Sequence, residues 1–350
     1  MNPEIWSLIG EKAALAGIMI GFALVVAMYS TWAERKVAAY IQDRRGPNRA
    51  GWGGLLQPLA DGGKLFFKEE ITPRHAEKFL FILGPTIAMI LACMTGAVIP
   101  WTTPFEFGES IIVPQIADIN VGFLYILGVL SLGVYGIMLG SWASNNKWSL
   151  MGGLRAASQI ISYELPMGLA LIAIFMISGT LKLGGIVEQQ MDSYWNIVLQ
   201  PIGFIIFLVC TFAETNRTPF DLPEAENELI GGYHSEYSSM KLGFFLFAEY
   251  INVFISSVII STLYFGGYDI PFVNDAKLTE SLGMNTMAVL HFLSLFAKAC
   301  FFIFVFMWVR WTIPRFRYDQ LMDLGWKRLL PLALVNMLIT GLVILYFFNK

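Results

Sequence analysis

Four glutamates, Glu214, Glu224, Glu226 and Glu228, fall within fifteen residues, interleaved with Arg217 and Asp221 and bounded on both sides by long apolar runs. Segment 214–241 holds six acids against two bases, Arg217 and Lys241. Carboxylates crowded in this way repel one another. The repulsion raises some of their pKa values towards neutrality, where groups that relay protons must titrate. A purely structural account stands beside this one. Asp221 and Glu224 have capping-box spacing and Pro223 suits a first helical turn, so a short helix is expected to run to Leu229 before Gly231-Gly232 ends it. Acids near its N-terminus would then simply offset its dipole.

More ionisable residues lie inside the apolar runs, where a charge costs roughly 2.5–3.5 kcal/mol on insertion scales and is a functional candidate by default. Glu164 follows a polar stripe of Arg155, Gln159 and Ser162, and at about 100° per residue it points away from Arg155. Pro166, two residues on, removes a backbone donor and favours a kink. Glu249, Asn252 and Ser256 share one helical face, as do His291, Ser294 and Lys298. Lys298 falls near mid-membrane. An unpaired ammonium there is costly, so a carboxylate partner or internal water is expected, with Glu249 and Glu164 nearest by depth.

The elements that must position these groups follow from composition. Of the 350 residues, 56% are hydrophobic and only 14% charged, with 28 Phe and 10 Trp, more apolar surface than a soluble core needs. Eight runs reach membrane length: Ala13 to Tyr29, Phe79 to Ile99, Val121 to Leu139, Ile160 to Ile177, Trp195 to Phe212, Leu242 to Tyr264, Met287 to Val309 and Leu329 to Phe348. Backbone groups in lipid must bond within their own segment, and continuous apolar runs exclude the alternation of a barrel. The expected fold is therefore all-α: a polytopic membrane protein with about eight transmembrane helices, residues 1–350 forming a single membrane domain. The first span lacks a basic leader and a small-residue cleavage site, so it is expected to remain uncleaved.

Charge sets the orientation. The loops after spans one, three, five and seven carry nine, two, two and five Lys and Arg residues, whereas the opposite side holds only Lys12, Lys182, Lys277 and Lys350. By the positive-inside rule the charged loops face the cytoplasm, or the matrix if the protein is organellar, with both termini on the outer side.

The first of these loops carries Arg44-Arg45-Gly46-Pro47-Asn48-Arg49, a basic turn suited to anionic lipid or to docking on a partner. Beyond it, Gln57, Asp61, Lys64 and Lys68 line one face of a helix and Leu55, Leu59, Gly62 and Phe66 the other. Such a cytoplasmic-side amphipathic helix should lie in the interface. Beside Trp32 it would serve as an anchor or as the lip of an entrance for a lipid-soluble molecule. Cys93, Cys210 and Cys300 are isolated, and His75, His234 and His291 are widely spaced. Neither set supplies a disulfide framework, a cluster motif, a haem pair or a metal site, and no Gly-rich fingerprint signals a nucleotide.

The runs Glu34-Arg35-Lys36, Arg44-Arg45-Gly46-Pro47-Asn48-Arg49, Gln57-Pro58-Leu59-Ala60-Asp61, Tyr163-Glu164, Ala213-Glu214-Thr215-Asn216-Arg217-Thr218-Pro219-Phe220-Asp221, Glu236-Tyr237, Ala248-Glu249-Tyr250 and Pro314-Arg315-Phe316-Arg317-Tyr318-Asp319 resemble one family. It is the membrane subunit of respiratory complex I, the proton-translocating NADH:quinone oxidoreductase, known as subunit 1 in mitochondria and with a direct counterpart in bacteria. The resemblance covers nearly the whole chain. It implies a subunit at the junction of the two arms, active only within the complex, which forms much of the quinone channel and passes the effect of quinone reduction to the pumping subunits. Implied partners are the other subunits of the peripheral and membrane arms, quinone as substrate and membrane lipid, with no nucleic acid. Flavin mononucleotide and iron-sulfur clusters would sit in partner subunits, with no cofactor bound by this chain. The implied location is the bacterial inner membrane, or the inner mitochondrial membrane.

Family acids and arginines that line the chamber and its carboxylate path match Glu34, Arg35, Asp61, Glu164, Glu214, Arg217, Glu224, Glu226, Glu228 and Glu249. Joined to the pattern above, this places a quinone channel at Trp32, Glu34, Arg35, Leu55, Leu59, Asp61, Phe66, Arg217 and Phe220. Proton coupling is placed at Glu164, Glu214, Glu224, Glu226, Glu228, Glu249 and Lys298, with no catalytic residue in isolation and no metal ligand. Some relatives carry a further acid in the third span; residues 122–140 have none. The alternatives are the related subunit of a membrane-bound hydrogenase and, from a different class, a stand-alone cation/proton antiporter, against which the lack of an evident internal repeat weighs. An inert anchor would have no use for Glu164 or Lys298.

Overall fold

A computed structural model describes residues 3–108, 110–271, 273, 278–279 and 282–348. Lys277 and Lys350, two of the outer-side cations in the orientation argument, lie outside the described residues. In chain order the first helices are α1 (Pro3–Ile41), α2 (Gln57–Phe67), α3 (Lys78–Met94), α4 (Gly122–Ala143), α5 (Lys147–Ser178) and α6 (Leu183–Asp192). They are followed by α7 (Asn196–Leu199), α8 (Pro201–Glu214), α9 (Glu226–Leu229), α10 (Ser239–Tyr264), α11 (Met284–Thr312), α12 (Tyr318–Asp323) and α13 (Leu330–Phe348). A small hairpin between α3 and α4 pairs β1 (Phe105–Phe107) with β2 (Ser110–Ile112), Phe105 opposite Ile112.

Among the described residues, seven helices are long and apolar enough to cross a bilayer: α1, α3, α4, α5, α10, α11 and the stretch from α12 through α13. The all-α membrane fold is thus as composition dictates. The fifth apolar run differs from the other seven. It breaks at Gln200, and α8 is left with 14 residues, about 21 Å at 1.5 Å each against a hydrocarbon thickness of about 30 Å. The backbone of Gln200 is not helical, with φ −133° and ψ 58°, and Pro201 opens α8 at a position where a missing donor costs nothing. Irregular backbone at such depth must be satisfied by protein. Gln190 Oε1 accepts from the Asn196 (3.1 Å) and Gly266 (3.0 Å) amides, while the Gln200 side chain bonds Asn336 (2.9 Å) and Thr340 (2.7 Å) of α13.

Helix α10 occupies the centre of the bundle and packs against α1, α3 and α11; α5 packs against α4, α8 and α13. Without a hydrophobic drive between helices in lipid, close approach depends on small residues. A Cβ on Gly84 of α3 would come within 2.7 Å of the Gly140 Cα on α4, so the two backbones touch there. Helix α1, at 39 residues, is about 58 Å long and carries Glu34-Arg35-Lys36 past the hydrocarbon as a continuous helix. Helix α5 stays helical through Pro166.

The amphipathic helix expected after the first span is α2. Its Asp61 pairs with Arg35 of α1 at 2.6 Å and receives a bond from Gln57. Its outward face leaves Leu59 and Phe66 53% and 69% exposed, with Leu55 at its approach, while Ser239 ties its end to α10 through the Leu65 and Lys68 carbonyls. Trp32 of α1 donates to the Gly53 carbonyl in the turn before α2 and so fixes one side of this edge.

Candidate functional site

Four elements converge on a buried row of charges. Glu34 comes from α1, Glu249 and Tyr250 from α10, Arg310 from the end of α11, and Arg217 from the loop after α8. The loop turns back because the Gln159 amide of α5 donates to the Ala213 and Phe220 carbonyls, both at 2.8 Å. That places Arg217, 4% exposed, with Nη1 3.2 Å from Glu34 and Nε 2.8 Å from Glu249. Its guanidinium stacks 4.2 Å from the Tyr250 ring centre, and the Tyr250 hydroxyl donates to Glu34 at 2.8 Å. Arg310 Nη1 lies 2.7 Å from the other Glu34 oxygen. Two carboxylates against two guanidiniums leave no net charge, the condition under which burying them is tolerable.

Next to this row is an internal cavity of ≈ 50 Å³, room for a few waters. Its polar walls include Glu249, Asn252, Glu214, Asn216, Thr95 and Tyr233; α3, α4, α5 and α10 supply the apolar ones. Glu214 is buried at the end of α8, and it lines a smaller pocket between α4, α8 and α10 together with Ser256, the last member of the α10 stripe. Glu164 reaches from α5 to the Ser131 hydroxyl of α4, so a hydroxyl meets it from the helix that lacks an acid. The α10 stripe and the two acids of α5 and α8 are therefore brought into one region.

A second, wider cavity of ≈ 550 Å³ opens on the side of the charged loops, lined by Asp221, Glu224, Glu226, His234, Arg310 and Arg315 among others. The capping box expected at Asp221 and Glu224 does not form. Asp221 is taken by Arg315 at 2.8 Å and Glu224 by the Tyr233 hydroxyl at 3.0 Å, stronger or better-placed partners than a helix end. Helix α9 consequently begins only at Glu226 and spans four residues, with no side-chain cap. Burial and the neighbouring Glu224 push Asp221 up to about 7, although Arg315 and Arg217 pull it the other way. Glu226 and Glu228 are exposed, the latter paired with Arg155 of α5 at 2.5 Å.

The structure gives Lys298 other neighbours than the two candidates nearest by depth, since Glu249 goes to Arg217 and Glu164 to Ser131. Lys298 donates to the Phe265 (2.7 Å), Gly267 (2.9 Å) and Asp269 (2.6 Å) carbonyls beyond the C-terminus of α10 and stands 4.7 Å from the Trp195 ring centre. Glu249 lies 16 residues before Phe265, about 24 Å along the α10 axis. The rest of the Lys298 stripe goes to the same end. Ser294 donates to the Asp269 carbonyl and His291 Nδ1 is 3.0 Å from Thr103. The physical reason is that an ammonium at a helix C-terminus satisfies carbonyls the helix leaves open and meets the negative end of the dipole. The Glu249→Gln, Lys298→Met double variant should therefore be additive within about 0.5 kcal/mol in thermal stability of the purified complex. A coupling above about 1 kcal/mol would contradict the separation.

Phe220 is packed between Tyr163 and Phe316, each 5.5 Å away, and not on an open surface. Arg310, Tyr250, Tyr233 and Ser131 are partners of the acids that sequence pattern did not single out. Tyr250 follows Glu249 within a family motif, and Arg310 ends an apolar run; Ser131 and Tyr233 carry no sequence signal.

A family profile described as NADH dehydrogenase matches residues 13–341. The chain is 63% identical over 337 residues, 96% of its length and 97% of the relative's, to an NADH-quinone oxidoreductase subunit of Cytophaga hutchinsonii. It is 62% identical to the subunit of the same name in Flavobacterium johnsoniae, covering 96% of this chain and 95% of that one. NADH-quinone oxidoreductase subunit 8 of Rhodothermus marinus is 49% identical over 96% of this chain and 97% of its own.

Proposed function

The chain belongs to the NADH dehydrogenase family as a subunit of NADH-quinone oxidoreductase, and on that premise we propose that it forms the quinone channel and couples quinone reduction to proton translocation. The observation that carries this reading is that successive residues of α1 serve both places: Arg35 pairs with Asp61 at the exposed edge of α2, and Glu34 enters the buried Glu34–Arg217–Glu249 row beside the inner cavity.

Quinone enters from the bilayer between α1 and α2, where Trp32, Leu55, Leu59 and Phe66 offer apolar contact to its tail. The polar head advances towards Glu34, Arg217 and Arg310. This chain binds and orients the quinone, excludes water and moves protons. Electrons come from flavin mononucleotide and iron-sulfur clusters in partner subunits of the peripheral arm. Reduction of the quinone changes the charge next to Glu34 and Arg217, and a change there redistributes protons over Glu249 and Glu214, which share a cavity, and over Glu164, whose charge acts on Glu214. The carboxylates of the 214–228 loop, Glu224 foremost, connect that set to the charged side. The membrane is the bacterial inner membrane, with the charged loops in the cytoplasm and both termini outside.

The channel is tested with quinones of different tail length. Replacing Leu59 and Phe66 by Ala should raise the KM for a long-tailed quinone several-fold more than for a short soluble analogue, with kcat nearly unchanged, because tail contacts are made equally in ground and transition states. Equal effects on both quinones would show that α2 is an anchor and not a lip.

A further inference from the structure

We propose that the Tyr233 hydroxyl is the proton link between the two cavities, joining Glu224 on the charged side to the Glu214 and Glu249 cavity within the bundle; this rests on the proton path read above. Tyr233 forms a wall of the inner cavity, and its hydroxyl donates to Glu224 Oε1, a wall of the outer one, at 3.0 Å. At 4% exposure the residue is buried, and it lines the inner cavity while its hydroxyl meets a wall of the outer one.

Its position is built by close backbone contacts. Gly232 has φ +61°, and a Cβ there would fall 1.6 Å from the Pro223 carbonyl oxygen, so the turn is pressed against the residue preceding Glu224. A Cβ on Gly152 of α5 would come within 2.6 Å of the Tyr233 amide, and Ser149 donates to the Tyr233 carbonyl at 2.9 Å. Phe245 of α10 meets the ring edge-on at 5.2 Å between centres. The ring is thereby held while its O–H can still rotate.

The charged groups facing this hydroxyl are Glu224, Glu249 and Asp221, with His234 Nδ1 3.7 Å from the same Glu224 oxygen. Burial and the negative neighbours hold the phenol well above its ordinary pKa, so it passes protons by exchange and does not stand as phenolate. In one step a proton leaves a water or carboxylic acid of the inner cavity and bonds to the phenol oxygen. The original O–H bond breaks as its proton goes to Glu224 Oε1. The phenol is neutral before and after, the inner donor loses one proton, Glu224 gains one, and rotation of the O–H resets the link.

The test uses inside-out membrane vesicles containing the whole enzyme. Tyr233→Phe keeps the ring as a wall and removes the hydroxyl. Protons translocated per quinone reduced should fall several-fold at normal complex content, and Glu224→Gln in parallel vesicles should show the same loss. Loss in Glu224→Gln with normal pumping in Tyr233→Phe would overturn the link and leave the proton path standing; normal pumping in both would remove the path itself. If Tyr233→Phe fails to assemble, a difluorotyrosine at position 233 supplies a more acidic phenol of similar size. The pH profile of pumping should then move to the acid side, and an unmoved profile overturns the proposal.

Discussion

Arg217→Gln is expected to lower quinone reductase activity at least tenfold and to reduce the thermal stability of the membrane arm, the largest effect of any single substitution in this chain. Arg217 is buried against both Glu34 and Glu249. Its removal strands two carboxylates with only Arg310 and the Tyr250 hydroxyl left to answer them, and breaking a buried pair typically costs about 3–5 kcal/mol. Arg217→Lys should recover only part of the loss. An ammonium is a point charge, without the planar fork that reaches two carboxylates while stacking on the Tyr250 ring. Adding Glu249→Gln to Arg217→Gln should do less harm than the two single losses summed, because one stranded charge disappears with it. Activity per assembled complex, measured together with complex content, checks the ranking. Near wild-type activity in well-assembled Arg217→Gln enzyme would sink the claim that this row positions the quinone chamber.

Neutralising the loop acids in pairs should divide them into two groups that look alike in sequence. Glu214 and Glu224 each form a cavity wall, so the double change to Gln should reduce both proton pumping and quinone reduction by tenfold or more while assembly is retained. Glu226 and Glu228 are exposed, although Glu226 also lines the outer cavity, and Glu228 is tied to Arg155, so their double change should lower mainly the amount of assembled complex and leave the pumping ratio much less affected. The reverse pattern would move the proton path to the exposed arm of the loop. Asp221 adds a pH test. Since it is pushed up to about 7, it is protonated on the acid side of neutrality and pairs as a carboxylate with Arg315 only as pH rises through that value. Asp221→Asn should flatten the change in pH–rate profile near pH 7, and a profile that still bends there belongs to another group.

Solvent and local chain chemistry account for everything about this protein that could be read without its fold. Apolar length and the cost of bare backbone in lipid dictate helices and the membrane, and the period of polar and apolar residues marks α2 as an amphipathic helix with Leu59 and Phe66 outward. Crowding of like charge marked the loop at Glu214 to Glu228, and the motifs around Glu34, Arg217 and Glu249 marked the family. Pairing was a different matter. Pattern and depth linked Glu249 to Lys298, yet the first found Arg217 from a loop and the second found the open carbonyls beyond α10. Spacing suggested a capping box at Asp221 and Glu224, and Arg315 and Tyr233 took both side chains instead. The fifth run had a span's composition but not its length as a helix, because Gln200 and Pro201 break it and α13 supplies the polar partners that make the break tolerable. Apart from Tyr233, nine residues from Glu224, the deciding partners lie far away in the chain. A carboxylate's neighbours are set by which helices meet and how deep each loop folds back, and that is fixed by packing between helices, of which periodicity along a single helix carries no trace.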